Sequence, residues 1–582
     1  MEHVGNMMRG GKARRCRALT LVLGAACFAS AANAQLTPER VLVVYDSRIA
    51  DSLAVAEYYA GSASVPGGVG GLVGKRPGVR TYDLAAFGGP VFSSATIDRS
   101  EYRTRLAAPL AAHLTATDSA GMVRCLVMTK GLPHRIENVG NAGVGDNPGL
   151  VGTIYGAGNY NAASVDSELT LLYQNLGFNV QTQLATELGG NADSRLDGYI
   201  LNPYFRSALP ITSWSTVNRT VQKNFVSAVA SPTPNIGEMW SAIPLTTTAT
   251  PTPTQLTPGD MYLVTRLDGN TVADVRAMLD RAAPLTVESL PGGNIAVNVN
   301  TAGVVLDESA SDGSQSTANN GELDNAGYNV TYFGDDYEQT RDFIISDRRY
   351  LGSNIKYDAA SNKTSFVVGA RISYAGQGRI IDSVAAPLPL ILLSHYGANH
   401  AGTVPGDDIA MPPFPPNPRT TYAASFTYAA GAVFNSMESY NARNLGGLTG
   451  GVAQQQVADF IGAGGTFATG NVYEPFTITV PDSALLARGF VLGNLTWGEA
   501  AMTALPVISF QQIVLGDPLA RLVRSIDDRD GDGQLSIEDL YIWNANPVDI
   551  NRSGGAGNDV DRRFIEQAVR SSNMTDMRGL LR

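Results

Sequence analysis

Two groups of side chains in this 582-residue sequence have the types and spacing that chemistry requires. The first is the run Asp528-Arg-Asp530-Gly-Asp532-Gly533-Gln534-Leu535-Ser536-Ile537-Glu538-Asp539. Carboxylates stand at positions 1, 3 and 5 of a twelve-residue loop, glycine at 6 permits a sharp turn, position 7 offers its backbone carbonyl, and an acid closes position 12. Hard oxygen ligands at this spacing wrap one hard cation. The expected metal ligands are therefore Asp528, Asp530, Asp532, Gln534 and Asp539, and the expected ion is Ca2+. Leu535 at position 8 supplies the apolar anchor by which such loops pair.

The second group surrounds His395, in Ser394-His-Tyr-Gly397, with His400, Glu438, Asp335 and Asp336 elsewhere in the chain. An imidazole and a carboxylate are the parts of an acid/base pair, so His395 and Glu438 are the candidate catalytic residues. The same nitrogen and oxygen donors suit a transition metal, although their spacing matches no standard site. Histidines with a purely structural role are the third reading, and spacing alone leaves all three open. Ser436 lacks the Gly-x-Ser-x-Gly elbow of a serine hydrolase. Cys125 sits in an apolar run, where a small buried hydrophobe is expected. Lys130 and His134 follow a strand-like run and read as a solvated loop or an anion site. The glycines from Gly67 to Gly74 read as a surface loop, and no phosphate loop is present.

These residues need a frame. Short uninterrupted apolar runs recur at Val41 to Tyr45, Cys125 to Met128, Tyr262 to Thr265, Gly303 to Leu306, Leu388 to Leu393, Ala432 to Phe434 and Gly465 to Phe467. Such runs suit strands buried on both faces. Asp51 to Tyr59 and Thr271 to Ala283 have helical spacing between them, which predicts crossover helices, an α/β class and a largely parallel sheet with flanking helices. Ligands gather at the carboxyl ends of such strands. The polar residues that follow the runs are Asp46, Ser47, Thr129, Lys130, Arg266, Asp268, Asp307, Glu308, Ser394, His395, Glu438, Asn471 and Glu474, and they are expected to mark one edge. Ser231 to Asp260 (Pro/Thr-rich), Ser309 to Asp324 and Met411 to Thr421 read as loops. No internal repeat is visible across the main body.

At the start of the chain, Arg9, Lys12, Arg14, Arg15 and Arg17 precede the apolar run Ala18 to Ala29, which ends in Ala32-Asn33-Ala34. This is the three-part pattern of a cleaved export signal over residues 1–34, too short for a membrane anchor. Cleavage removes five basic residues and Glu2, taking the formal charge from -11 to -15. Cys16 and Cys27 go with it, so the mature chain keeps only Cys125 and forms no internal disulfide. The acidic balance argues against nucleic acid as a partner. No later apolar run is long enough to span a membrane. With 44% hydrophobic and 16% charged residues, wholesale disorder is excluded. The expected organisation is an exported protein with an α/β main body over 35–522, carrying the loop 231–260, and a small calcium-binding module over 523–582.

The calcium loop, with Asp539 at position 12 followed by Leu540, resembles the dockerin type I variant of the EF-hand. A second copy begins at Asp549-Ile-Asn551-Arg-Ser553-Gly554 and resumes at Val560-Asp561-Arg-Arg-Phe564-Ile565, with Phe564 falling at the closing position. The resemblance covers about the last 55 residues and implies a small helical module, a cohesin-like scaffold protein as partner, and attachment of a secreted enzyme, often one acting on polysaccharide. From Arg40 to about Leu522 the chain resembles an uncharacterised family of secreted bacterial proteins. That likeness is carried by Val41-Leu-Val-Val-Tyr-Asp-Ser47, Leu126-Val-Met-Thr-Lys-Gly-Leu-Pro133, Ser164-Val-Asp-Ser-Glu-Leu169, Asn202-Pro-Tyr-Phe205, Tyr262-Leu-Val-Thr-Arg-Leu-Asp268 and Ile513-Val-Leu-Gly-Asp-Pro518. More distantly, the order of Ser394-His-Tyr-Gly397, Asn435-Ser-Met-Glu438, the helix around Gln454 to Ile461, and Gly516-Asp-Pro518 resembles gingipain-like peptidases of the caspase fold. That likeness implies a three-layer body with a histidine and a nucleophile after neighbouring strands. Asn435, Ser436 or Glu438 stands where the cysteine belongs, so a classical cysteine peptidase is not expected. The two functional expectations are an extracellular hydrolase acting on peptide or glycan, and a non-catalytic surface or scaffold-attachment protein.

Overall fold

A computed structural model of the chain describes residues 36–68, 70–136, 163–174, 200–205, 217, 223–226, 241–244, 257–282, 302–307, 337, 340, 341, 344, 355–358, 366–368, 380–383, 389–396, 426–437, 440–446, 456–473, 480–491, 495–522, 529, 537–548 and 556–572. The export signal, most of the loop 231–260, and Asp528, Asp530, Asp532, Gln534, His400, Glu308, Glu438, Glu474, Asp335 and Asp336 lie outside the described residues.

The seven apolar runs fall on seven strands of one ten-stranded sheet, β1 Val41–Tyr45, β3 Cys125–Thr129, β4 Leu263–Leu267, β5 Gly303–Asp307, β7 Leu390–Tyr396, β8 Tyr428–Met437 and β9 Phe467–Asn471; the other three, β2 Arg80–Asp83, β6 Ile355–Asp358 and β10 Gln512–Leu515, were not among the runs. The apolar runs follow from coverage on both faces. In β1, Val41, Val43 and Tyr45 enter one core cluster while Leu42 and Val44 enter the other. In β3, Cys125 and Val127 alternate likewise with Leu126 and Met128. The first cluster is covered by α1 (Ala50–Ala60) and α4 (Val272–Ala282), through Val55, Ala56, Tyr59, Val275, Met278 and Leu279; the second takes Leu110 and Leu114 of α2 (Ala108–Thr117). Each such fully buried aliphatic side chain contributes about 1.5–3 kcal/mol.

The strand order is β6-β5-β7-β8-β9-β10-β4-β3-β1-β2, and every neighbouring pair is parallel except β9 with β10. That single antiparallel pair divides the sheet into two five-stranded parallel units running in opposite directions. Read outward from their junction, the units are β10-β4-β3-β1-β2 and β9-β8-β7-β5-β6. In each, the second strand lies outside the first and the later strands build inward, which is the doubly wound order 2-1-3-4-5. The chain completes the second unit between the fourth and fifth strands of the first. A topological repeat is therefore present where the sequence displays none, because the repeat lies in connectivity and not in residue identity. The polar residues expected to share one edge are accordingly separated: Asp46, Thr129, Lys130 and Asp268 end strands of the first unit, whereas Asp307, His395 and Asn471 lie toward the opposite edge.

The motif blocks tie the layers together with buried polar bonds. Ser164 caps α3 (Val165–Leu169) by accepting the Ser167 N–H, and Asp166 of that helix holds Arg266 through two bonds of 2.9 and 2.5 Å. Asn202 donates to the carbonyls of Met502 and Leu505. Asp517, in Gly516-Asp-Pro518, accepts from Tyr59 at 2.7 Å and from Arg76 Nε at 2.6 Å, which anchors the chain after β10 to α1. Gly516 adopts φ +122°, and a Cβ there would lie 2.5 Å from the Phe467 ring, so the turn requires glycine. Thr496 and Glu499 form the capping box that opens α7 (Trp497–Ala504), whose buried Trp497 donates its indole N–H to the Leu515 carbonyl at 2.8 Å. Two shorter helices lie before it, α5 (Gln456–Gly462) and α6 (Ser483–Leu486).

Near the end of the chain, α8 (Ile537–Ala545) and α9 (Asp559–Ser572) pack together around Trp543, Ile565 and Val569, with Leu540 and Val548 against them. Trp543 donates its indole N–H to the Val548 carbonyl at 3.0 Å. No helix among the described residues is long and apolar enough to cross a membrane.

Candidate functional site

In the second unit the topological switch point falls between β5 and β7, the place where open α/β sheets form a ligand crevice. Asp307, His395 and Ser436 stand there in one row across β5, β7 and β8, since Asp307 pairs with His395 and His395 with Ser436. Residues paired across parallel strands share a face, so the three side chains project together. All three are buried. His395 Nε2 is 3.2 Å from Ser436 Oγ and 3.0 Å from the amide oxygen of Gln456, the first residue of α5. Asn441 donates to the Ser436 carbonyl at 3.4 Å.

The alternate residues of the same strands form a polar mesh on the other face. Asn435 donates to Ser483 Oγ and to the Pro481 carbonyl, both at 2.8 Å, and accepts from Thr469 Oγ1 at 2.6 Å. Ser483 Oγ in turn meets Ser394 Oγ at 3.1 Å. These bonds fix the ends of β7, β8 and β9, and thereby the spacing of His395 and Ser436 on the reverse side. The sequence reading put His395 in a loop following its strand and named Glu438 as its companion. His395 instead lies within β7, and the residue opposite it is Ser436, two positions before Glu438. The missed signal was strand length: β8 runs to Met437, three residues beyond the apolar run Ala432 to Phe434.

An imidazole that takes a proton from a hydroxyl needs a lone pair on the facing nitrogen. Nε2 meets that need in the tautomer carrying hydrogen on Nδ1. Asp307 is the register neighbour of His395 on the side away from Ser436.

The first unit has a corresponding row. Its switch point lies between β1 and β3. Extending the pairing of Val44 with Met128 by two residues sets Asp46 beside Lys130, and extending that of Leu267 with Thr129 by one sets Asp268 on its other side. Asp46, Lys130 and Asp268 thus correspond to Asp307, His395 and Ser436. Here the centre is closed: the Lys130 ammonium donates to Asp268 at 3.3 Å and to the carbonyls of Gly269 and Leu445 at 2.6 and 3.2 Å. Asp46 accepts from Arg48 Nε at 2.9 Å and from its terminal nitrogen at 2.7 Å. His134 is buried, bonds through Nε2 to the Arg443 carbonyl at 3.0 Å, and is held well below the usual histidine range by burial and then by Arg135. Lys130 and His134 are therefore neither a solvated loop nor an anion site. Arg266 is likewise a strand residue of β4, committed to Asp166. Cys125 is buried as expected, and burial pushes its thiol far above the ordinary range.

Of the five expected calcium ligands, Asp539 is described. It is fully buried in the first turn of α8 and accepts the Arg529 backbone N–H at 2.6 Å, a bond from position 12 back to position 2 of the loop. A buried carboxylate drawn to the start of its own loop fits the ring closure that a calcium ligand at position 12 must make. In α9, Asp561 is equally buried and accepts the Asn558 backbone N–H at 2.8 Å. Asp561 precedes the core residue Ile565 by four positions, as Asp539 precedes Trp543. The sequence alignment set Phe564 at the closing position of the second loop, whose residues 549–555 lie outside the described ones; the buried acid of this helix is Asp561. Asp539 and Asp561 hence hold matching positions in the two helices.

No family model, curated protein or solved structure matches the chain.

Proposed function

We propose that the chain is an exported hydrolase whose centre is the row Asp307, His395 and Ser436, carried on an α/β body and joined to a calcium-binding, dockerin-like attachment module. The observation that carries the hydrolase reading is the 3.2 Å approach of Ser436 Oγ to His395 Nε2 on adjacent parallel strands, with a carboxylate next in the row. In this reading His395 takes the hydroxyl proton as Ser436 Oγ attacks a carbonyl carbon. An acyl-enzyme forms, the leaving group departs with that proton, and water then releases the acyl group by the reverse transfer. The placement of His395 and Ser436 on the third and fourth strands of a doubly wound unit supports the caspase-like resemblance, with a hydroxyl in the place of the thiol. Peptide or glycan-ester material outside the cell is the substrate class in keeping with export.

Calcium, when bound, supplies the charge that gathers the carboxylates of the C-terminal loops. Asp528, Asp530, Asp532, Gln534 and Asp539 would hold one ion, and a cohesin-like scaffold is the partner for the folded module. The first test is turnover by purified residues 35–582 on pooled peptide, ester and glycan substrates at fixed calcium. Turnover lost in both His395→Ala and Ser436→Ala, with folding intact, is the expected result. Turnover unaffected by Ser436→Ala would overturn the assignment.

A non-catalytic attachment protein is the second reading, favoured by the Gln456 contact at 3.0 Å and by the burial of the whole row. Absence of turnover, together with calcium-dependent binding to a cohesin-like module, would select it.

A further inference from the structure

The His395 imidazole has one nitrogen between two side chains. Nε2 lies 3.0 Å from Gln456 Oε1 and 3.2 Å from Ser436 Oγ. A ring nitrogen carries either a hydrogen or a lone pair, so the two contacts have a shared sense. If Nε2 bears the hydrogen, it donates to the Gln456 oxygen and has nothing with which to receive the serine proton. If the lone pair is on Nε2, the glutamine oxygen faces it unfavourably until the amide turns over and presents its NH2 group instead. The Gln456 amide and the imidazole tautomer therefore change together, and the arrangement in the structure, with oxygen facing the ring, matches the hydrogen-bearing Nε2.

We propose that Gln456 is a tautomer latch on His395: with its amide oxygen toward the ring it favours the proton on Nε2 and slows Ser436, and rotation or removal of that amide releases the pair. This rests on the hydrolase reading for its consequence at Ser436, whereas the tautomer itself is independent of any turnover. Geometry makes Gln456 suited to the role. It is the first residue of α5, so a modest displacement of that short helix moves the amide, whereas the Ser436 row is carried by the backbone pairing of β5, β7 and β8. The neighbouring Phe434 ring, with its centroid 5.9 Å from that of His395 and 5.3 Å from that of Phe460 in α5, links the helix mechanically to the imidazole. Gln456 is accordingly a positioning residue.

The test uses the mature chain, residues 35–582, with 15N-labelled histidine. His395 is assigned by difference from His395→Gln, and its tautomer is read from ring-nitrogen shifts at pH 8. In parallel, the labelling rate of Ser436 by a fluorophosphonate is measured; the serine oxygen bonds to phosphorus, fluoride leaves, and the proton goes to His395. Expected are hydrogen on Nε2 in the unaltered chain, transfer to Nδ1 in Gln456→Met, and labelling about tenfold faster in that variant, the factor that the net worth of one hydrogen bond corresponds to. Gln456→Glu, a stronger acceptor of the same shape, should keep hydrogen on Nε2 and label no faster than the unaltered chain. Hydrogen on Nδ1 in the unaltered chain, or slower labelling in Gln456→Met, would overturn the proposal; the latter would make the amide an activating donor. A tautomer that moves as expected with no labelling in any variant supports the latch and sinks the hydrolase reading. If Gln456→Met does not fold, the unaltered chain and Gln456→Glu still decide the tautomer.

Discussion

Lys130 and His395 hold matching places in two oppositely directed halves of one sheet: His395 lies within the third strand of its unit between Asp307 and Ser436, and Lys130 directly follows the third strand of the other, where the extended register sets Asp46 on one side and Asp268 on the other. The chemistry of the two centres diverges because of the fourth-strand partner. Asp268 and two carbonyls occupy all three ammonium hydrogens of Lys130, leaving a fixed ionic clasp. Ser436 instead presents a hydroxyl to an imidazole, a pair able to exchange a proton.

The clasp is expected to be structural. Lys130→Met removes the nearer of the two cations on the buried Asp268 carboxylate, Arg266 remaining at 3.5 Å, and should lower unfolding free energy by about 1–3 kcal/mol. The double substitution Lys130→Met with Asp268→Leu should recover part of that loss, since Arg266 keeps Asp166 as its partner. Urea unfolding midpoints of the two variants check this. A single variant as stable as the parent would refute the clasp.

Acid sensitivity follows from His134. Its folded-state pKa lies well below the ordinary value because of burial, so as pH falls below about 6.5 the unfolded chain binds a proton that the folded chain refuses. The stability linked to this group is complete above that pH and declines below it, by about 1.4 kcal/mol per pH unit. Unfolding free energies between pH 5 and 8 should therefore have a shallower slope in His134→Gln than in the parent. Equal slopes in the two proteins would show that His134 takes up its proton in the folded state.

In the C-terminal helix pair, the matching burial of Asp539 and Asp561 predicts matching effects. Asp539→Ala and Asp561→Ala should each weaken the packing around Trp543, seen as a red-shifted tryptophan emission component and faster proteolysis after residue 522. Chelation should do the same while sparing the sheet, because ligand binding energy in such a module is also folding energy. The double variant Asp528→Ala with Asp532→Ala should lose calcium stoichiometry outright. A stoichiometry unchanged in that variant would refute the ion assignment.

Thiol reagents give a fourth outcome. Cys125 is buried with its pKa raised, so it should resist iodoacetamide in the native state at pH 8, and Cys125→Ser should leave any turnover intact. Inactivation by the reagent would restore the cysteine-peptidase reading.

Fold class was legible because burial on both faces writes itself into composition: β1 is an uninterrupted apolar run, β3 and β5 are apolar but for their last residues, and α1 and α4 have helical spacing. Direction was not legible. Nothing in Phe467–Asn471 or Gln512–Leu515 states that these two strands meet antiparallel, since an interior strand has the same pattern either way. That one relation separates Asp46 and Lys130 from Asp307 and His395. Ser436 was set aside for want of a Gly-x-Ser-x-Gly elbow, and its pairing with His395 was hidden because β8 continues past its apolar segment through Asn435 and Ser436, polar residues with cross-strand partners that sequence spacing does not display. Near the end of the chain the burial of Asp561 was not legible, because the alignment looked for an acid at Phe564.

The chain leaves β4 at Leu267 and returns to pair with it only at Gln512, after the other five-stranded unit has been laid down. During synthesis the edge of β4 must wait uncovered while some 240 residues emerge, about 12 to 48 s at usual elongation rates. The first unit is not a contiguous segment that can be excised and expressed alone, and the long sequence separation of β4 from β10 makes its closure a late, slow event. The nascent protein thus has a defined window of vulnerability, and the arrival of four residues, Gln512–Leu515, ends it.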